Sequence, residues 1–312
     1  MSIILDGSGT HGGLEHWYDG SMRPLFALCT FCLLSASAPD QGAYWTSVDA
    51  WHAGREARLR SEDGWLSLIG LDWLAPGENT LGSAPGSTVL LPVGAAPARA
   101  GLFLLEGASV RFRPLVGGGI LLNGKPATET ELKTDADGTP DILQAGRVRF
   151  YAIRRGNRVG IRLKDPEAPA RKAFHGVPRY PVDPRWRVEA VFLPYPTPQT
   201  RAIPTVLGTT EPMTAPGLLR FKVGGREVTL EPMVEGTELF LIFKDGTSAK
   251  GTYPAGRFLY AAPAESGKVV LDFNRAINPP CAFSIFATCP LPPEQNRLEI
   301  LITAGEKDPG VH

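Results

Sequence analysis

The chain has 312 residues, with 32 basic and 32 acidic side chains, a formal net charge of zero and 43% hydrophobic residues. A balance of this kind leaves no electrostatic footprint for a nucleic acid or another polyelectrolyte, which would select a basic stripe or an extreme net charge. The 35 glycines and 29 prolines are scattered as punctuation, the pattern of many short strands joined by turns.

Residues 1–21 precede an internal methionine and show no hydrophobic period. From Met22 the chain reads MRPLFALCTFCLLSASAPD: one arginine, an apolar run from Leu25 to Leu34, then Ala36-Ser37-Ala38. A basic start, an apolar middle too short to span a bilayer and small residues at the end describe a secretory signal peptide. Cleavage after Ala38 makes residues 1–38 dispensable and predicts a periplasmic or secreted protein with no stable membrane span. The remaining 274 residues carry 31 basic and 29 acidic side chains, enough chain for two domains with proper cores.

Cys29 and Cys32 would leave with the signal, so that only Cys281 and Cys289 remain, with seven residues between them. In an oxidising compartment such a pair predicts a disulfide first, worth about 2 to 3 kcal/mol. Two buried thiols, or a redox or metal site, are the alternatives. Metal ranks last, because zinc wants three or four ligands and His175 is the only mid-domain histidine. No metal and no cofactor are expected.

One helix is predicted from about Ser47 to Arg60, with Ser47 as cap, Val48, Trp51 and Leu59 apolar, and Glu56 four before Arg60. Strands follow. Gly119 to Lys125 has the glycine and lysine spacing of a phosphate-binding loop, but Pro126 stands where Ser or Thr would hold magnesium. With no helix after it, it reads as a hairpin turn. Val148, Phe150 and Ala152, a Gly156-Asn157 turn, then Val159, Ile161 and Leu163 predict a hairpin. Trp186, Val188, Ala190 and Phe192 mark a half-buried strand. Residues 194–216, with six prolines, read as an extended connector. Phe221 and Val223, Gly224-Gly225, then Val228 and Leu230 predict a second hairpin, and the wholly apolar Leu239 to Phe243 a strand buried on both faces. The fold class is therefore mainly β, two β-sandwich or barrel-like domains with one N-terminal helix. The boundary falls near Ala170, where alternation is lost, giving domains 39–170 and 171–312.

The C-terminal wording NPPCAF, TCPLPP, NRL and AGEK is similar to the prokaryotic domain of unknown function 1684 family. The similarity extends upstream through Asp165-Pro166-Glu167-Ala168, Tyr180-Pro181-Val182-Asp183, Val206-Leu207-Gly208-Thr209 and Thr252 to Tyr260. It implies a fold and a region for the site but no substrate. One departure is Thr247-Ser248-Ala249-Lys250, where the family more often reads TSGK. Leu81-Gly82-Ser83, Val89 to Leu91 and Ile120 to Gly124 resemble the scaffold of a forkhead-associated β-sandwich. Ser83 stands at that family's arginine position and no Ser-x-x-His follows near residues 99–105, so phosphopeptide binding is not carried over; a generic sandwich fits equally.

No Gly-x-Ser-x-Gly elbow and no His-Glu-x-x-His pair is present. Alternation through Val269 to Asn274 places Asp272 and Asn274 on one strand face, about 7 Å apart, where a carboxylate and an amide could grip a polar ligand. Arg257, with Tyr253 as a neighbouring phenol, offers a fork for a ligand carboxylate, or a partner for Asp272. Glu306 beside Lys307 closes the set. The bland readings are a solvated strand face, a solvated arginine and a solvated end. The first function expected is binding of a small polar or anionic molecule in the C-terminal β-domain by Arg257, Asp272, Asn274 and Tyr253. The alternative is a hydrolase- or lyase-type enzyme with Asp272 or Glu306 as acid or base and Arg257 stabilising charge.

Overall fold

Helix α1 (Gln41–Arg60) opens the computed structural model, which describes residues 41–310. The signal-like segment with Cys29 and Cys32 lies outside the described residues. The helix begins before the predicted Ser47, whose hydroxyl donates to Tyr44 O inside the first turns and caps nothing. Its buried stripe is Val48, His52, Arg55 and Leu59, spaced four, three and four residues apart as one helix face requires. Two members of that stripe are polar, so apolar periodicity alone could not find the face.

Eleven strands follow: β1 (Leu68–Trp73), β2 (Gly77–Gly82), β3 (Val89–Leu90), β4 (Gly101–Glu106), β5 (Ser109–Pro114), β6 (Ile120–Leu122), β7 (Lys125–Pro126), β8 (Thr130–Leu132), β9 (Leu143–Ala145), β10 (Val148–Arg155) and β11 (Arg158–Lys164). They form one sheet in the order β1-β11-β10-β9-β6-β7 and a second in the order β3-β2-β4-β5-β8. Alternate residues of both sheets meet in one apolar core, among them Phe103, Phe112, Phe150 and Ile161. This is a β-sandwich. The predicted β10–β11 hairpin closes with Arg155 opposite Arg158. The loop-like Gly119 to Lys125 is the β6–β7 hairpin, with Asn123 and Gly124 at φ 48 and 80°, the left-handed pair of a tight turn.

After the short helix α2 (Pro169–Lys172) come β12 (Arg187–Pro204), β13 (Thr210–Val223), β14 (Arg226–Leu230), β15 (Met233–Glu235), β16 (Glu238–Phe243), β17 (Arg257–Ala261) and β18 (Lys268–Asp272). The order β14-β13-β12-β18 makes a four-stranded sheet and β15-β16-β17 a three-stranded one. Strand β16 is buried on both faces, as its composition predicts. Leu239, Leu241 and Phe243 face a core shared with Leu219, Leu271 and Phe273, whereas Phe240 and Ile242 face a second core with Phe258, Cys281 and Cys289.

The proline-rich stretch 194–216 is not a connector. It is the outer part of the β12–β13 hairpin, paired from Gln199 opposite Ala215 to Pro204 opposite Thr210 after a register shift past Pro194. Strand β18 pairs only with Arg187 to Val191 of β12, so the outer half of β12 has one edge without a ladder, where proline is tolerated.

The departure at Ala249 also has a structural meaning. Ala249 is exposed and sits at φ 63°, a left-handed conformation that disfavours a Cβ by about 1 to 2 kcal/mol. Ala249→Gly should relieve that strain, less about 0.4 to 1 kcal/mol for the freer unfolded chain. Thermal unfolding should show a small rise in Tm, and a fall would mean that the turn tolerates its alanine.

Candidate functional site

The chain leaves β18 at Asp272 and turns at once into a 3-10 turn, Phe273–Arg275. Asp272 and Asn274 therefore do not alternate along a strand as predicted. Asp272 caps the turn, accepting from Asn274 N at 3.2 Å, and the Asn274 amide also reaches it, Nδ2 to Oδ1 at 3.2 Å. Both are tied to helix α1: Tyr44 OH donates to Asp272 at 2.8 Å and accepts from Asn274 Nδ2 at 2.9 Å. Burial and the adjoining carboxylate push the Tyr44 phenol well up. His52, whose pKa burial lowers, donates Nε2–H to Asn274 O at 2.8 Å. The predicted pair is thus brought together, as the dock for the helix.

Arg257 is 1% exposed and pairs with Asp245, not with Asp272, at 2.7 Å. Its terminal N–H groups also reach Ile302 O at 2.9 Å and Ala304 O, whereas its Nε has no hydrogen-bond partner among the described residues. A solvated arginine is excluded by that burial. Asp245 in turn accepts from Thr247 N at 2.8 Å and Thr247 Oγ1 at 2.6 Å. This cluster holds the extended C-terminal segment against β17.

Glu306 lies at the end of that segment and is 1% exposed. Its Oε2 accepts from Asn278 N at 2.7 Å, and its Oε1 stands 3.6 Å from Arg55 Nε, neither atom having a hydrogen-bond partner among the described residues. Burial raises its pKa to about 7, against the pull of Arg55 and Asn278 N–H. A carboxyl in that range is half neutral near physiological pH, so the buried Arg55 guanidinium has only part of a counter-ion.

Tyr253 OH donates to Cys281 O at 3.0 Å. The expected disulfide is not formed. Cys281 N–H donates to Cys289 Sγ at 3.1 Å, and hydrogen bonding from Cys289 lowers the Cys281 pKa, while Cys289 is pushed up by that same bond and by burial. The 3-10 turn Pro280–Ala282 aims a backbone donor at the second sulfur, which serves as an acceptor.

A cavity of about 440 Å³ opens beside Cys289. Arg55 of α1, Arg155 at the end of β10 and Thr288 line it, with Trp65, Phe240 and Phe258 among its apolar walls. Arg257, Asp272, Asn274, Tyr253 and Glu306 do not. The polar centre of the wall is Thr288, 8% exposed. Arg155 Nε donates to its hydroxyl at 2.9 Å and Arg162 donates to the same oxygen at 3.2 Å. A hydroxyl has two lone pairs and one proton. With both lone pairs occupied, Thr288 has only a donor left, and among the described residues nothing accepts it.

The charges around Thr288 are unevenly matched. Arg155 is balanced by Asp135 at 2.8 Å and Glu211 at 3.5 Å. Arg162, 2% exposed, has no carboxylate within 4.0 Å among the described residues; it lies over the Trp65 ring, 5.4 Å from its centre. Leaving a charge buried without a partner is costly. Sequence reasoning passed over Arg155, Arg162 and Thr288. Arg162 alternates with apolar residues on β11 like an ordinary outward-facing side chain, and tertiary packing, with Thr288 and Trp65 against it, buries it, while Arg155 is partly buried.

A family model described as "Protein of unknown function (DUF1684)" matches residues 172–307. Thr288 falls inside the match, whereas Arg55, Arg155 and Arg162 lie upstream of it. A solution NMR structure of an uncharacterized protein of Haloarcula marismortui is 33% identical, over 46% of this chain and 81% of that chain, with a TM-score of 0.39. Among curated proteins there is no match.

Proposed function

Because the chain belongs to the DUF1684 family, whose description carries no activity, we propose from its own side chains that it binds a small anionic molecule in the cavity beside Thr288. The observation that carries this reading is the Thr288 hydroxyl, made an obligate donor by two arginines and left without an acceptor among the described residues. An anion there would accept the Thr288 proton and supply Arg162 with the negative charge that it lacks. Arg55, on the same cavity, adds a guanidinium whose own carboxylate is half protonated near pH 7.

We place this binding outside the cytoplasm, on the strength of the signal-like sequence from Met22 to Ala38. The enzyme reading, with Glu306 as acid or base, has the raised pKa in its favour. Glu306 is absent from the cavity wall, however, and its free oxygen faces Arg55, so its proton acts on the arginine and not on a bound molecule.

Arg162→Met tests the binding reading. Methionine keeps much of the buried volume and removes a buried charge without stranding a carboxylate partner, so the usual penalty for breaking a buried ion pair does not arise. The variant should unfold at the same temperature as the wild type or above it, and should lose any rise in Tm that a small anion gives the wild type. Persistence of that rise in the variant would contradict the proposal.

A further inference from the structure

We infer that the molecule held beside Thr288 is a monocarboxylate carried on a flat apolar body, an inference that rests on the anion-binding reading above. Three observations separate this class from phosphate or another inorganic anion.

The first is the supply of donors. Arg155 already uses Nε on Thr288 and NH1 on Arg154 O and Asp135, and Arg162 gives one N–H to Thr288. What is left toward the cavity is one hydroxyl proton, the Arg55 guanidinium and the NH2 group of Arg155, whose charge Asp135 and Glu211 already offset. A carboxylate with two oxygens is matched by so short a list. A phosphate dianion, with more acceptor oxygens and about twice the charge, wants a nest of backbone N–H groups or several free forks.

The second is the sign of the other lining charges. Glu211 and Glu235 border the same cavity. Their field opposes a dianion more strongly than a single negative charge, which the three arginines can still hold.

The third is the rest of the wall. Trp65, Met213, Phe240, Phe258 and Ile277 line the space, and Tyr260 stacks on Phe240 with centroids 4.8 Å apart and planes 15° from parallel. An inorganic anion would leave this surface wet and most of the 440 Å³ unfilled. A ligand with an aromatic or branched apolar body would dry it, which is the usual composition of a specific small-molecule pocket.

The test is isothermal titration of the purified protein at pH 6.5 with 3-phenylpropionate, 3-phenylpropanamide and inorganic phosphate, repeated on Thr288→Val and Thr288→Ser. The carboxylate should bind at least tenfold more tightly than either the amide or phosphate. Thr288→Val should weaken it at least tenfold, while Thr288→Ser, which keeps the donor, should stay within about threefold of the wild type. If phosphate binds as well as the carboxylate and both are lost in Thr288→Val, the anion reading survives and the ligand class is wrong. If neither anion binds, both readings fall. Equal binding of the amide and the carboxylate would show that charge is not what the cavity reads, and would also overturn the inference.

Discussion

Replacing Asp245 with alanine is expected to lower the unfolding free energy by about 3 to 5 kcal/mol, the cost of removing one partner from a buried ion pair. Arg257 is enclosed at 1% exposure and has Asp245 as its carboxylate partner at 2.7 Å. The same side chain satisfies Thr247 N, Thr247 Oγ1 and Ile302 N, so alanine also strands two backbone donors, while the Thr247 hydroxyl keeps Thr252 Oγ1 at 2.9 Å. Arg257 meanwhile holds Ile302 O and Ala304 O, the backbone that leads to Glu306. The damage should therefore reach the site: Asp245→Ala should weaken anion binding although it touches no wall of the cavity. Urea unfolding measures the first effect and titration the second. A loss below about 1 kcal/mol would mean that the arginine finds water or another carboxylate.

The second large effect is a stability that falls with pH through the neutral range. Glu306 has an ordinary pKa near 4.5 when unfolded and about 7 when folded, so between those values the folded protein holds a proton that the unfolded chain has lost. The stability tied to that proton is fully present below about pH 4.5 and lost as pH rises through about 7, a change of about 3 kcal/mol at about 1.4 per pKa unit. Burial is the main cause; Arg55 and Arg257 oppose it and Glu56 adds to it. Glu306→Gln, which resembles the protonated acid, should match the wild type near pH 4 and stay flat to pH 7.5, while the wild type weakens between about pH 4.5 and about 7. Parallel curves for the two proteins would assign the dependence to other groups. The same linkage ties the carboxyl to the cavity. An anion placed near Arg55 competes for its charge, so binding should take up a proton at Glu306 and tighten as the pH drops from 8 to 6.

Much of the architecture could be read from residue order, because hairpins announce themselves locally. Gly156-Asn157 and Gly224-Gly225 each supply a turn between alternating runs and close the strands expected, and Gly119 to Lys125, read as a hairpin turn, is one. The wholly apolar Leu239 to Phe243 could belong only to a strand with a core on both sides. Misreadings occurred where tertiary packing overrode local pattern. The prolines of 194–216 suggested a connector, yet one unpaired edge of β12 accommodates them. Asp272 looked like the middle of a strand face, but its carboxylate found Asn274 N and ended the strand as a cap.

Little of the site was legible. Arg257, Asp272, Asn274, Tyr253 and Glu306 all lie off the cavity wall, and of the side chains singled out for chemistry in the sequence only Cys289 lines it. What no spacing rule reveals is that two arginines from one sheet converge on a threonine 126 and 133 positions away in the chain. Nor could pattern show that Arg55, on a helix face otherwise expected to be apolar, would be shared between Glu306 and the cavity.

The most direct measurement of the central claim is NMR observation of the arginine Nε–H signals as 3-phenylpropionate is added. Arg55 Nε and Arg162 Nε are both buried and without hydrogen-bond partners among the described residues, so their resonances should be slow to exchange and sensitive to a charge arriving beside Thr288. Saturable shifts of both signals, abolished for Arg55 in Thr288→Val, are the predicted result. Binding that leaves both signals unmoved would place the ligand elsewhere and contradict the account.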